Sequence, residues 1–285
     1  MIAHRVPAVF AALIIASLGQ ALGQDREPTE TRVTHGPMLG RPSHDSMSLW
    51  MRTHRPGKVV VFYGKDKAVL DQSATLQTTS IEDDNTGILK LDKLQANTRY
   101  YYRVEDHQLS GSFRTLPHAD DFRNATGNPE GLFNFKFEFA CGNNQRGGGD
   151  SAGPTLPVFD TLNRQVRDEI HFAILNGDWL YEDQRAYPAS EWLHQVGIAS
   201  LGQAPDIVQK APTVVGVWEN YKIYLERGRN LSEWHRHIPS FYTADDHELL
   251  NDIYGTGEVG YVNRRAVFRD IATRAWFDYL AWANP

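Results

Sequence analysis

The sequence predicts a two-part chain: an all-β sandwich followed by an α/β core built on parallel strands. Short segments of period-two apolar residues crowd residues 31–117, with no helical spacing among them. After a polar stretch bearing Pro and Gly, apolar strands alternate with segments of helical spacing, the rhythm of a parallel crossover unit. The composition supports both parts, because 285 residues that are 41% hydrophobic and 22% charged supply enough apolar surface for two cores.

The first residues, "MIAHRVPAVFAALIIASLGQALGQ", carry a basic start at Arg5, an apolar run and small residues before Gln24. That order predicts a signal peptide over 1–23 and export through the general secretory route, to a secreted or periplasmic location. The run is shorter than the ~20 residues of a spanning helix, and no second apolar span follows, so no membrane span is expected once the leader is removed.

The β-rich unit follows over 31–117. "SMSLWMR" sets Met47, Leu49 and Met51 on one face, "KVVVFYG" is β-branched and aromatic, and "TGILKL", "RYYYRV" and "GSFRT" complete the block. Several strands at short intervals argue for a sandwich. "LDKLQANTRYYYRV" resembles the late-strand pattern of immunoglobulin/fibronectin type III-like modules. Residues 118–131 read as a linker and 132–285 as the second unit.

In that second unit, "LFNFKFEFAC" places Phe133, Phe135, Phe137 and Phe139 on one face of a strand, with Cys141 on the same face by period two. Pro157 is suited to begin a helix, and Val158, Phe159, Leu162, Val166 and Ile170 recur at helical spacing after it. "HFAIL" is the next strand. Two short helices are expected around Gly228, then a strand at "IPSFYTA" and a helix through "RRAVFRDIATRAWFDYLAWA". Trp218, Tyr221, Trp234 and Trp276 fall at core spacings.

Chemistry is concentrated where these strands end. "NGDWLYED" brings Asp178, Tyr181, Glu182 and Asp183 after one strand, "DDHE" brings Asp245, Asp246, His247 and Glu248 after another, and Cys141 follows the first. Ligand sites of open α/β sheets gather beyond the carboxyl ends of the strands. Crowded carboxylates resist ionisation together unless a cation reverses the sign of the local field, so metal binding explains the cluster best. Each motif alone has an ordinary reading: Cys141 as a core residue, "NGD" as a tight turn, "DDHE" as a solvated loop or helix cap. The only cysteine cannot form an internal disulfide. A formal charge of -6 gives no broad attraction to nucleic acid.

"FACGNNQ", "ILNGDWLYED" and "ADDHELLND", behind strands ending in "YYYRV" and "SFRTLP", resemble the PhoD-type alkaline phosphatases of the calcineurin-like metallophosphatase superfamily. The resemblance implies a metallophosphatase-like α/β core and hydrolysis of phosphate mono- or diesters by a metal-activated hydroxide. It implies Fe3+ held by Cys141, Tyr181 and Asp178, with Asp178 bridging to a second site that holds Ca2+ or another divalent metal and is also ligated by Asp246. His247 takes the place that faces the leaving group, with Glu248 as a carboxylate to orient it. The leader has "HR" where many relatives carry an arginine pair, and Trp179 stands where tyrosine is more usual. The superfamily's late His and Asp ligands have no counterpart before Pro285, which reads as a carboxy-terminal truncation and an incomplete core. The alternative is a surface- or polysaccharide-binding module with a degenerate, non-catalytic second domain.

Overall fold

A computed structural model gives the structure of the protein and describes residues 31–78, 81–105, 109–145, 153, 155–181, 214–249 and 263–285. The leader expected over 1–23 lies outside the described residues, as do Glu182 and Asp183.

The first seven strands form two antiparallel sheets. β1 (Val33–Gly40), β2 (Met47–Thr53) and β5 (Thr86–Leu91) lie in the order β1-β2-β5. The other sheet contains β3 (Lys58–Gly64), β4 (Gln72–Gln77), β6 (Arg99–Val104) and β7 (Ser110–Arg114), in the order β4-β3-β6-β7. One core joins them: Met47, Leu49, Met51 and Leu91 from the first sheet meet Val61, Tyr102, Val104 and Phe113 from the second. The alternation read from the sequence therefore marks the inward face.

β2 departs from simple amphipathic alternation. Trp50 points away from that core and is as buried as its neighbours, at 1% exposure, because the outer face of the strand meets the second unit. Its indole N–H donates to the Asp278 carbonyl at 2.8 Å, and its ring lies 5.2 Å from that of Tyr279. A strand buried on both faces loses its polar stripe.

The second unit is built on a parallel sheet of β8 (Phe137–Ala140), β9 (Phe172–Asn176) and β10 (Ser240–Thr243), in the order β10-β9-β8. Among the described residues the helices are α1 (Pro157–Gln165), α2 (Val214–Arg227), α3 (Arg229–His235) and α4 (Asn263–Tyr279). α1 begins at the expected proline but ends about a turn early, at Gln165, where Val166 leaves helical geometry with φ -129°. Phe159 is the fully buried residue of this helix, and Leu162, Val166 and Ile170 pack half-buried against the same core although the last two lie beyond the helix.

Helices cover one face of the parallel sheet. Ala173, Leu175 and Tyr242 bury against Trp218, Tyr221, Trp234 and Tyr279. Among the described residues the opposite face is open: Phe137 is 46% and Phe139 61% exposed, and a chain of aromatic contacts links Phe133, Phe135, Phe137, Phe172 and Phe241 across it. At the outer edge of β10, the Asn284 side chain supplies one ladder rung, accepting from the Tyr242 N–H at 2.9 Å and donating to its carbonyl at 2.7 Å.

An ion network ties the units together. Arg52 grips Asp84 with two hydrogen bonds of 2.9 Å, Lys222 from α2 stands 3.4 Å from the same carboxylate, and the Tyr279 hydroxyl donates to it.

Candidate metal centre

β8, β9 and β10 run parallel, with Ala140 beside Leu175 and Thr243 beside Asn176. Their carboxyl ends therefore leave the sheet at one edge, and the residues singled out in the sequence follow there directly. Past the strand ends, backbone hydrogen bonds continue the pairing of the first two loops: the Gly142 N–H donates to the Gly177 carbonyl and the Asn143 N–H to that of Asp178.

The turn after β9 demands unusual backbone. Gly177 has φ +71°, and a Cβ there would lie 2.6 Å from that of Asp245, so only glycine lets the second and third loops meet. Asp178 itself has φ +59°, a left-handed conformation that is uncommon outside glycine and costs of order 1 kcal/mol. Such strain persists where surroundings over-determine it.

Glu248 supplies that determination. Its side chain is fully buried, and both oxygens accept backbone N–H groups: Oε1 from Trp179 and from Leu180 at 3.3 Å, Oε2 from Asp178 at 3.1 Å and Asp245 at 2.8 Å. This corrects the expectation that Glu248 orients His247, since four amide donors already occupy its oxygens. The Asp245 contact is the recognisable one in sequence: a glutamate reaching back three residues to a backbone N–H is the reciprocal half of a capping box. The contacts to residues 178–180 join segments about 70 residues apart, and no local pattern encodes them.

The functional side chains converge around this support. One donor atom from each of Asp178, Asp246 and His247 lies within 4.8 Å of the other two. Tyr181 donates its hydroxyl to Asp178 Oδ2 at 3.1 Å, and its ring lies 4.1 Å from that of His247, tilted 34°. Cys141 is exposed at the same edge but stands outside the 4.8 Å group. Asn143, in the loop after β8, is buried and donates to the Trp179 carbonyl, which makes it a brace between loops.

The electrostatics are one-signed. Burial raises the Asp178 carboxyl above the usual range, with the Tyr181 hydrogen bond and the His247 charge opposing the rise and Asp245 and Asp246 adding to it. Burial likewise raises the Tyr181 phenol, reinforced by Asp178, and the Cys141 thiol, reinforced by Asp178, Asp245 and Glu248. A polyvalent cation is the partner that inverts all of these directions at once. The residues fit one: Asp178 Oδ1 is buried without a hydrogen-bond partner, and carboxylate oxygens of Asp178 and Asp246 lie within 4.8 Å of each other beside His247, a spacing that suits ligand distances of about 2.0–2.6 Å.

Two family descriptions match the chain, PhoD-like phosphatase, N-terminal domain, over residues 19–117 and PhoD-like phosphatase over residues 137–284. The chain belongs to the PhoD-like phosphatase family. The solved structure of PhoD is similar to this PhoD-like chain with a TM-score of 0.60 and 20% identity, over 86% of this chain and 45% of that one. This chain thus spans less than half the length of that relative, and the likeness is one of fold. The sensor domain of the anti-sigma factor RsgI4 of Pseudobacteroides cellulosolvens matches with 13% identity over 31% of this chain and 96% of its own, at a TM-score of 0.24 that is too low to bear on the fold. No curated protein matches the chain.

Proposed function

We propose that the protein is an exported, metal-dependent phosphoric ester hydrolase acting on phosphate mono- or diesters. The observation that carries this reading is the convergence of Asp178, Asp246 and His247 within 4.8 Å at one sheet edge, with a buried carboxylate oxygen left unpartnered. Family membership gives the reaction class. We read residues 31–117 as an immunoglobulin/fibronectin type III-like sandwich, 118–131 as a linker and 132–285 as a metallophosphatase-like unit. The leader pattern over 1–23 supports export.

Cys141, Tyr181 and Asp178 would hold Fe3+, the thiolate and phenolate being strong anionic donors, while Asp178 and Asp246 would supply oxygens to Ca2+ or another divalent ion. Bound there, the cations would neutralise phosphate oxygens and acidify a water. The chain's own groups set the geometry. Glu248 fixes the backbone that aims Asp178, and the Tyr181 hydroxyl holds Asp178 Oδ2 in place. His247, half-buried against the Tyr181 ring, would give its proton to the departing alkoxide oxygen.

Release of nitrophenol from p-nitrophenyl phosphate and from its bis-ester tests the reading on metal-loaded protein. Asp178→Ala and Asp246→Ala should abolish turnover together with metal retention. His247→Gln should keep metal while kcat falls ~10²- to 10⁴-fold. Undiminished hydrolysis in either aspartate variant would assign the activity elsewhere.

A further inference from the structure

A cavity of about 570 Å³ opens where the amino-terminal sheets meet the parallel-sheet unit. It sits at the opposite end of the parallel strands from the metal centre. Arg167 and Asp168 precede the start of β9 at Phe172, and His237 precedes the start of β10 at Ser240, whereas Asp178 and Asp246 follow the strands' far ends. A five-residue strand separates the two places by about 15 Å.

The lining is cationic in a chain whose formal net charge is -6. Lys67, Arg99 and Arg103 come from the amino-terminal unit and Arg167 from the other, against Asp168 as the one lining carboxylate among the described residues. Asp168 is already engaged, with Oδ1 3.0 Å from Arg99 Nη1. The nearby Glu233 is also engaged, by Arg236 at 2.8 Å and by His237 Nε2 at 3.1 Å. Arg167 Nε is buried without a hydrogen-bond partner, a donor with no acceptor.

The walls are fixed across the boundary between the units. The Tyr102 hydroxyl donates to the Arg236 carbonyl at 3.0 Å, and the Ser112 N–H donates to His237 Nδ1 at 3.2 Å. Gly111 makes the approach possible, since a Cβ there would lie 2.2 Å from the Arg236 carbonyl oxygen. The walls that carry the cationic groups are thus fixed around a space of ordinary ligand-site size. Four cationic side chains against one described carboxylate, with a surplus buried N–H donor on Arg167, supply the excess positive charge and the donors that a phosphate-type oxyanion takes.

We propose that this cavity is a second ligand site, which takes a phosphate-type oxyanion, either free phosphate or the terminal group of a phosphomonoester. It needs no metal and does not depend on the hydrolase reading. Chelator-treated full chain, titrated calorimetrically at constant ionic strength, tests it with three probes: inorganic phosphate, glycerol phosphate and succinate. Phosphate should bind at one site, weakened about tenfold or more in Arg167→Gln and several-fold in Lys67→Gln, whose exposed side chain can be replaced without threatening the fold. Asp178→Asn should leave the affinity unchanged. Glycerol phosphate binding as well as phosphate assigns the site to esters, and exclusion of the ester assigns it to the free ion. Absence of phosphate binding, wild-type affinity in both basic-residue variants, loss in Asp178→Asn, or succinate binding as tightly as phosphate would each overturn the proposal.

Discussion

Glu248→Gln probes the support of the metal centre without touching a proposed ligand. The carboxylate accepts four backbone N–H groups, two on each oxygen. Glutamine keeps one carbonyl oxygen, so whichever way the amide turns, two donors face its NH2 group. Two hydrogen bonds to a charged acceptor are lost, at ~1.5–3 kcal/mol each. Part of that is recovered, because burial disfavours the charged form of Glu248 and raises its carboxyl despite the backbone donors, a penalty the neutral amide escapes. The expected net cost is about 2–4 kcal/mol, concentrated in the loops after β9 and β10. Urea unfolding followed by tryptophan fluorescence measures the global part, and hydrogen exchange at the Asp178, Trp179, Leu180 and Asp245 amides measures the local part. A midpoint within experimental error of wild type, together with unchanged protection at all four amides, would refute the bracing role.

Asp84→Ala should cost about 3–5 kcal/mol, because Arg52 and Lys222, with side chains 12% and 10% exposed, lose the carboxylate they share. The double variant Asp84→Leu with Arg52→Met should lose much less, and thermal melts compare the two. His235 gives a pH test. Burial lowers its pKa to about 3, so the unfolded chain, titrating near 6.5, binds the extra proton first; this contribution is complete above pH 6.5 and is lost as pH falls towards 3, at up to ~1.4 kcal/mol per unit. Glu138 works in the opposite sense between about 4.5 and 7, where burial raises its pKa to about 7, so the His235 slope should show most clearly below pH 4.5. Stability measured against pH should be flatter in His235→Gln; an identical acid slope would show that the buried imidazole does not set it.

Much of the fold was legible because local chemistry and tertiary need coincide. "KVVVFYG", "TGILKL" and "RYYYRV" are strands where their patterns put them, and "HFAIL" and "IPSFYTA" pair in parallel as a crossover requires. The edge shared by Asp178, Tyr181, Asp246 and His247 followed from that topology. What stayed hidden depends on long-range packing. Trp50 reads as a solvent-side position of an amphipathic strand until Tyr279, 229 residues later, covers it. Val166 and Ile170 keep helical spacing, yet the helix stops at Gln165. The oxyanion cavity draws Arg99 and Arg167 from different units, and neither lies in a recognisable motif. Glu248 was visible as part of an acidic motif, but its task is to hold a distant backbone, which spacing alone does not express.

The claim that three strand ends serve one cation site is tested most directly by the visible absorption of the protein loaded with ferric iron. A phenolate-to-iron charge-transfer band should appear and vanish in Tyr181→Phe while iron remains bound. A colourless iron-loaded protein, or a visible spectrum unchanged by the loss of the phenol, would contradict the site.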